Sequence, residues 1–274
     1  MAKTYKVRGG NGSQIHVFEE GNPQGRPILL IHGFSQCYLA WSKQLDSDLT
    51  REFRVIAMDM RGHGESEKPQ DAYADSKLWA DDVQGIIETL GLDGTVLCGW
   101  SYGSLVILDY LRHYGEERLG GLHFVSAISK LGSDEALAVI APEFLALVPG
   151  FFSNNVEESV LALSNLLHMV FDKEPPVRDF YLMLGYNALV PPYVRQGLLS
   201  RSVDNDDLLP QIRKPVMITH GTRDAIVLPT VVDQHKVVIR HAQVQMIQDA
   251  GHAPFYEEPE TFNRALREFI RSLG

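Results

Sequence analysis

Residues 97–105, LCGWSYGSL, set Ser101 between Gly99 and Gly103. A serine hydroxyl is a weak nucleophile until a base takes its proton. Glycines two residues to either side suit a tight strand-to-helix turn that lifts such a hydroxyl clear of the chain. The pattern alone is cheap: at ordinary glycine and serine usage, roughly one chain in ten of this length carries it by accident. Its surroundings give it weight. TVLCGW, before the serine, is β-branched and apolar like a central strand, and SLVILDYL, after it, has helical spacing. A Cβ at either glycine would crowd the turn. The following helix brings unbonded N–H groups near the serine oxygen.

A base is then required. His252 stands in DAGHAPFYEEPE, beside Gly251 and just past the last strand-like run. The base needs a carboxylate to orient it, and Asp224 stands in THGTRDAIV, just past PVMIT. The rival acids Asp206 and Asp207, in VDNDDLLP, read as a solvated, helix-capping loop. All three chosen residues follow predicted strand ends, where open α/β sheets place their sites. The chain order Ser101, Asp224, His252 is the order found on one such sheet. Developing negative charge on an attacked carbonyl needs donors. The backbone N–H groups of Tyr102, after the nucleophile, and Phe34, in HGFSQ, are expected to supply them. His32, in IHGF, and His220 read as structural residues, and His63, in MRGHGES, as a loop holder bonded by Asp59 and Arg61. No His-Glu-x-x-His or comparable spacing appears, so no metal is expected. The single near-match to a dinucleotide loop, GHG, lacks its third glycine, and no cofactor is expected.

These residues need a scaffold. The N-terminus reads as two strands, 4–9 and 14–20, joined by the turn GGNG. RPILLIHGF, FRVIAMDMRGHGES, GTVLCGW and LGGLHFVSAI read as buried strands. YLAWSKQLDSDL has helical spacing, and DSKLWADDVQGIIETLGL reads as a helix, with Asp75 or Ser76 as N-cap and Gly91 as its stop. Alternating buried strands and helices predict an α/β fold with a mostly parallel sheet flanked by helices. The rhythm lapses from Ser129 to Leu209, where SDEALAVIAPEFLALV, VEESVLALSNLLHMVF and PPVRDFYLMLGY are helical. It resumes at KPVMITHGTRD and AQVQMIQDAGHAPF, and ends in a helix opened by Pro259. The expected organisation is a core in two parts, 1–128 and 210–274, interrupted by a helical lid, 129–209. Its aromatic residues Phe144, Phe151, Phe152, Phe171, Phe180, Tyr181, Tyr186 and Tyr193, with Leu147 and Pro191, mostly pack the lid itself. Two or three are expected to face Ser101.

The 274 residues, 45% hydrophobic and 22% charged, suit a soluble domain with a sizeable core. A net charge of −10 argues against nucleic acid and anionic membranes as partners. Cys37 and Cys98 read as reduced, packed thiols. With no leader-like or membrane-spanning run in view, a cytoplasmic location is expected.

HGF, DMRGHGES, GWSYGS, HGTRD and GHAPFYEEPE, in this order, resemble the α/β-hydrolase superfamily from about residue 14 onward, the lid excepted. They look most like its esterase, lactonase and cofactor-free perhydrolase branch. The resemblance implies an eight-stranded sheet with a helical cap and Ser101, His252 and Asp224 as a catalytic triad. Many relatives carry a second glycine where this chain has Ser104. The expected activity is cleavage of a small-molecule carboxylic ester or lactone with an apolar substrate, through an acyl-enzyme. Competing readings are a hydrolase of amide, thioester or carbon–carbon bonds, a perhydrolase side activity, and a small-molecule receptor with little turnover.

Overall fold

The computed structural model describes residues 2–274. Eight strands form one sheet: β1 (Lys3–Arg8), β2 (Gln14–Gly21), β3 (Pro27–Ile31), β4 (Arg54–Met58), β5 (Thr95–Trp100), β6 (Leu119–Val125), β7 (Val216–Gly221) and β8 (Gln243–Ile247). Their spatial order is β1-β2-β4-β3-β5-β6-β7-β8. β2 is antiparallel to both neighbours, and every other pair is parallel. The apolar runs explain the middle of the sheet: every residue of β5 is buried, as are Ile28–Ile31 and Val55–Met58. After β3 the chain steps to β4 on one side, then crosses to β5 on the other. The crevice between the ends of β3 and β5 is therefore the point where strand order reverses, a natural place for a ligand.

The β1–β2 connection is a single 3₁₀ turn, Gly10–Gly12, in which Asn11 (φ 53°) and Gly12 (φ 77°) take the left-handed conformation. Helix Ser76–Leu90 begins where expected, because the Asp75 side chain accepts from the N–H of Lys77 at 2.9 Å. It stops at Gly91, whose φ of 62° supplies the left-handed C-terminal turn. The elbow helix, Tyr102–Tyr114, packs against it, and the closing helix, Pro259–Arg271, begins at its proline.

Two helical expectations are corrected. YLAWSKQLDSDL is not one helix but a 3₁₀ turn, Tyr38–Trp41, and two single turns, Ser42–Leu45 and Leu49–Glu52. Ser47 interrupts it: its hydroxyl donates to the Gln44 carbonyl (2.7 Å) and accepts from the N–H of Leu49 (3.2 Å), competing with the helical ladder. SDEALAVIAPEFLALV also breaks, after Asp134–Leu137. Ile140 forms an isolated bridge to Val227, and a new helix begins at Pro142. Proline has no N–H to continue a helix and holds Ala141 extended.

Between β6 and β7 lie five α-helices, Asp134–Leu137, Pro142–Phe152, Val156–Val170, Val177–Ala188 and Pro192–Leu199, and a short 3₁₀ turn, Leu209–Gln211. One buried guanidinium joins four of these stretches. Arg195 donates to the carbonyls of Phe151 (2.7 Å), Asn187 (3.2 Å) and Val190 (2.5 Å) and to the Ser159 hydroxyl (3.0 Å). Burial lowers its pKa to about 10, which leaves it charged at neutral pH.

Candidate active site

β5 delivers Ser101 directly. The residue has φ 53° and ψ −115°, a combination rare for anything but glycine, and it caps the elbow helix. Backbone packing enforces this bend. A Cβ on Gly99 would lie 2.6 Å from the Gly103 carbonyl oxygen, and one on Gly103 would lie 2.5 Å from the Ile31 carbonyl oxygen. Strand β3 and the elbow thus approach closer than any side chain would allow. The Ser101 N–H donates to the Val125 carbonyl at 2.9 Å, tying the turn to β6.

The loop after β3 closes against the serine: a Cβ on Gly33 would stand 3.3 Å from that of Ser101. Phe34 follows. Tyr102 is the first residue of its helix, so its N–H is among those no intrahelical carbonyl can take. The Tyr102 side chain points elsewhere, its hydroxyl donating to the Leu198 carbonyl at 3.2 Å.

His252 and Asp224 come from the loops after β8 and β7. His252 Nδ1 lies 2.7 Å from Asp224 Oδ2. Asp224 Oδ1 accepts from the N–H groups of Ile226 and Val227, each at 2.9 Å, and His220 Nε2 lies 3.0 Å from Oδ2. Burial alone would raise the Asp224 pKa. The facing histidines outweigh it and hold the carboxyl well below its ordinary range. An ionised carboxylate can only accept, so it is Nδ1 of His252 that donates to it. The loop itself is fixed at its backbone: the Trp100 indole N–H donates to the His252 carbonyl at 2.8 Å.

Ser101, His252, Gly33, Phe34 and Tyr102 line one cavity of about 220 Å³. Asp224 sits behind His252 and does not line it. Asp206 and Asp207 stay outside, exposed and paired with Lys130 (2.6 Å) and Arg112 (2.8 Å). His32 is occupied structurally, Nδ1 donating to the Gly33 carbonyl (2.8 Å) and Nε2 accepting from the N–H of Met60 (3.0 Å). His63 bonds the Arg61 carbonyl at 2.9 Å. Asp59 does not join it: that carboxylate serves His16 Nδ1 (2.8 Å) and the N–H groups of Tyr38 (2.7 Å) and Glu65 (2.9 Å). The Arg61 guanidinium is likewise turned to Asp82.

The rest of the wall corrects a further expectation. Of the aromatic set from the inserted helices, only Phe144 lines the cavity; Leu137, Ile140, Leu145, Val148, Leu166 and Val170 do most of the covering. The aromatic rings pack elsewhere, Phe151 against Phe34 and Phe144, and Phe171 against Tyr256. Gln36 and Lys130 are polar residues of the wall that were not picked out from sequence, whereas Ser104 was noted there only as a departure from the relatives' glycine. Gln36 lines the cavity and accepts from the Tyr186 hydroxyl at 3.0 Å. Lys130 lines it as well. The Ser104 hydroxyl lies 2.5 Å from the Ser101 carbonyl and 2.6 Å from that of Ile128, joining the elbow to the cavity wall. Its departure from the double-glycine pattern was the available signal. Among the described residues no His, Cys, Asp and Glu cluster could hold a metal ion, and no helix is long and apolar enough to cross a membrane.

A sequence model of the Alpha/beta hydrolase family matches residues 28–265. The chain is 33% identical to the esterase RhEst1 from Rhodococcus sp. ECU1013, whose crystal structure superposes with a TM-score of 0.93 over 99% of each chain. It is 28% identical to the AB hydrolase superfamily protein YisY of Bacillus subtilis, covering 94% of this chain and 96% of that one. It is 26% identical to the bifunctional esterase/perhydrolase DCH of Acinetobacter calcoaceticus, covering 93% and 95%.

Proposed function

The chain belongs to the alpha/beta hydrolase family, and from that premise we propose that it is a serine esterase acting on carboxylic esters or lactones with an apolar acyl part. The observation that carries the reading is the His252–Asp224 contact of 2.7 Å, set beside Ser101 in a cavity walled mainly by aliphatic side chains. In this reading His252 Nε2 takes the Ser101 proton as the hydroxyl oxygen attacks the ester carbonyl. The backbone N–H groups of Phe34 and Tyr102 hold the resulting oxyanion, which forms only as the barrier is crossed. His252 then protonates the departing alcohol, leaving an acyl group on Ser101. Water, deprotonated by the same imidazole, releases the acid and restores the serine. Asp224 keeps His252 in the tautomer that accepts at Nε2 and stabilises the imidazolium. The helices between β6 and β7 serve as a cap that shields the acyl chain from water.

The esterase names of the relatives support this bond type. The perhydrolase name supports a side reaction at the same serine, in which hydrogen peroxide replaces water, the acyl group leaves as a peracid and the serine hydroxyl is restored.

The test is turnover of p-nitrophenyl esters of increasing acyl length by wild type and Ser101→Ala. Many turnovers by wild type and a loss of at least about 10⁴-fold in the variant are expected. Equal rates would remove Ser101 from the mechanism. A single stoichiometric burst followed by arrest would favour a receptor over an enzyme.

A further inference from the structure

Glu257 lies five residues past His252 and takes no part in the chemistry described above. Its carboxylate spans two separate parts of the molecule. Oε2 accepts from the N–H of Gly251, the residue before His252, at 2.7 Å. Oε1 accepts from the N–H groups of Asp172 (2.8 Å) and Lys173 (3.0 Å), just past the helix Val156–Val170. The same helix end holds His252 directly, because the Val170 carbonyl accepts from the His252 N–H at 2.8 Å. The fit is close: a Cβ on Gly251 would stand 2.8 Å from both the Asp172 nitrogen and the Val170 oxygen. The loop bearing His252 is thus pinned to the inserted helices on one side and to Trp100 on the other.

We propose that Glu257 is a positioning residue for His252, and that the segment Val170–Lys173 of the inserted helices forms part of the support of the catalytic base as well as part of the cover. The proposal rests on the esterase reading for the role of His252. Its physical content is geometric. A carboxylate offers two acceptor oxygens, one for each side of the bridge. A carboxamide offers one oxygen and an NH₂ group, which would face N–H donors whichever way it turned, so Glu257→Gln breaks one side. Released from one anchor, the imidazole drifts from Ser101, and a displacement of about 1 Å costs on the order of 10²-fold in rate.

The experiment compares wild type, Glu257→Gln and Glu257→Asp by ester kinetics and by NMR of the His252 Nδ1–H proton held against Asp224. Glu257→Gln is expected to lower kcat about 10- to 100-fold with KM within about two-fold, and to broaden or abolish the proton signal while far-ultraviolet circular dichroism stays unchanged. Glu257→Asp keeps the charge on a side chain one methylene shorter, cannot span both partners, and is expected to fall similarly. It decides the matter if the glutamine variant does not fold. Wild-type kcat and an intact signal in Glu257→Gln would overturn the proposal. So would a fully active Glu257→Asp, which would mean that charge and not the bridge matters. If wild type shows no Ser101-dependent turnover, the esterase reading fails, and the proton signal still decides the role of Glu257 in holding the imidazole.

Discussion

Asp224 uses each carboxylate oxygen for a different task, and this makes it a sharper probe of the chemistry than its distance from the cavity suggests. Oδ1 is bound by two backbone N–H groups, and Oδ2 faces His252. In Asp224→Asn the amide oxygen is drawn to the backbone donors, and its NH₂ group then faces His252 Nδ1. That nitrogen must accept, so Nε2 carries the proton and cannot take another from Ser101. The expected result is a fall in kcat of about 10³- to 10⁴-fold with KM nearly unchanged, read from ester hydrolysis. A loss below about ten-fold would mean that Asp224 does not set the tautomer. The contact of Asp224 with His252 was legible in sequence because both follow strand ends at the right places in the chain order. Gln36 and Glu257 were not, because their contacts depend on what other segments bring to them, the Tyr186 hydroxyl to one and the backbone N–H groups of Asp172 and Lys173 to the other.

At the level of elements, legibility followed burial. β3 to β7 are apolar runs that only a covered sheet can accommodate, and each appears where its sequence placed it. The errors fell where local side-chain chemistry or one proline competes with a periodic pattern, at Ser47 and Pro142. The identity of the cavity wall was misread for a different reason. Most of the aromatic residues were expected to pack the helical layer, as they do, but two or three of the set were expected at the cavity and only Phe144 lines it. Which ring turns to the cavity depends on packing between helices far apart in sequence. Phe151 shows this: it is fully buried between Phe34 and Phe144 and leaves the covering to aliphatic neighbours.

Over the whole molecule, several histidines are held neutral by burial, with His63 and His123 lowered to about 3, His235 to about 4, and His32 also lowered. Because the folded-state values lie below the unfolded value of about 6.5, the unfolded chain takes up protons first as pH falls. Each such histidine then removes up to about 1.4 kcal/mol of stability per pH unit. Asp109, raised to about 6 by burial, works in the opposite direction below that pH. The low value at Asp224 matters only in stronger acid, below the unfolded range of about 3.9. Urea midpoints are therefore expected to be flat above about pH 7 and to fall from about pH 6.5 toward pH 4.5. A midpoint that rises over that interval would contradict the assignment of neutral buried histidines. The central claim, that Ser101 is an activated nucleophile, is tested most directly by treating the protein with an alkyl fluorophosphonate and weighing it by mass spectrometry. One adduct per chain on the peptide carrying Ser101, absent in Ser101→Ala and strongly slowed in His252→Ala, is the predicted result. An adduct elsewhere, or equal labelling of wild type and Ser101→Ala, would contradict the account.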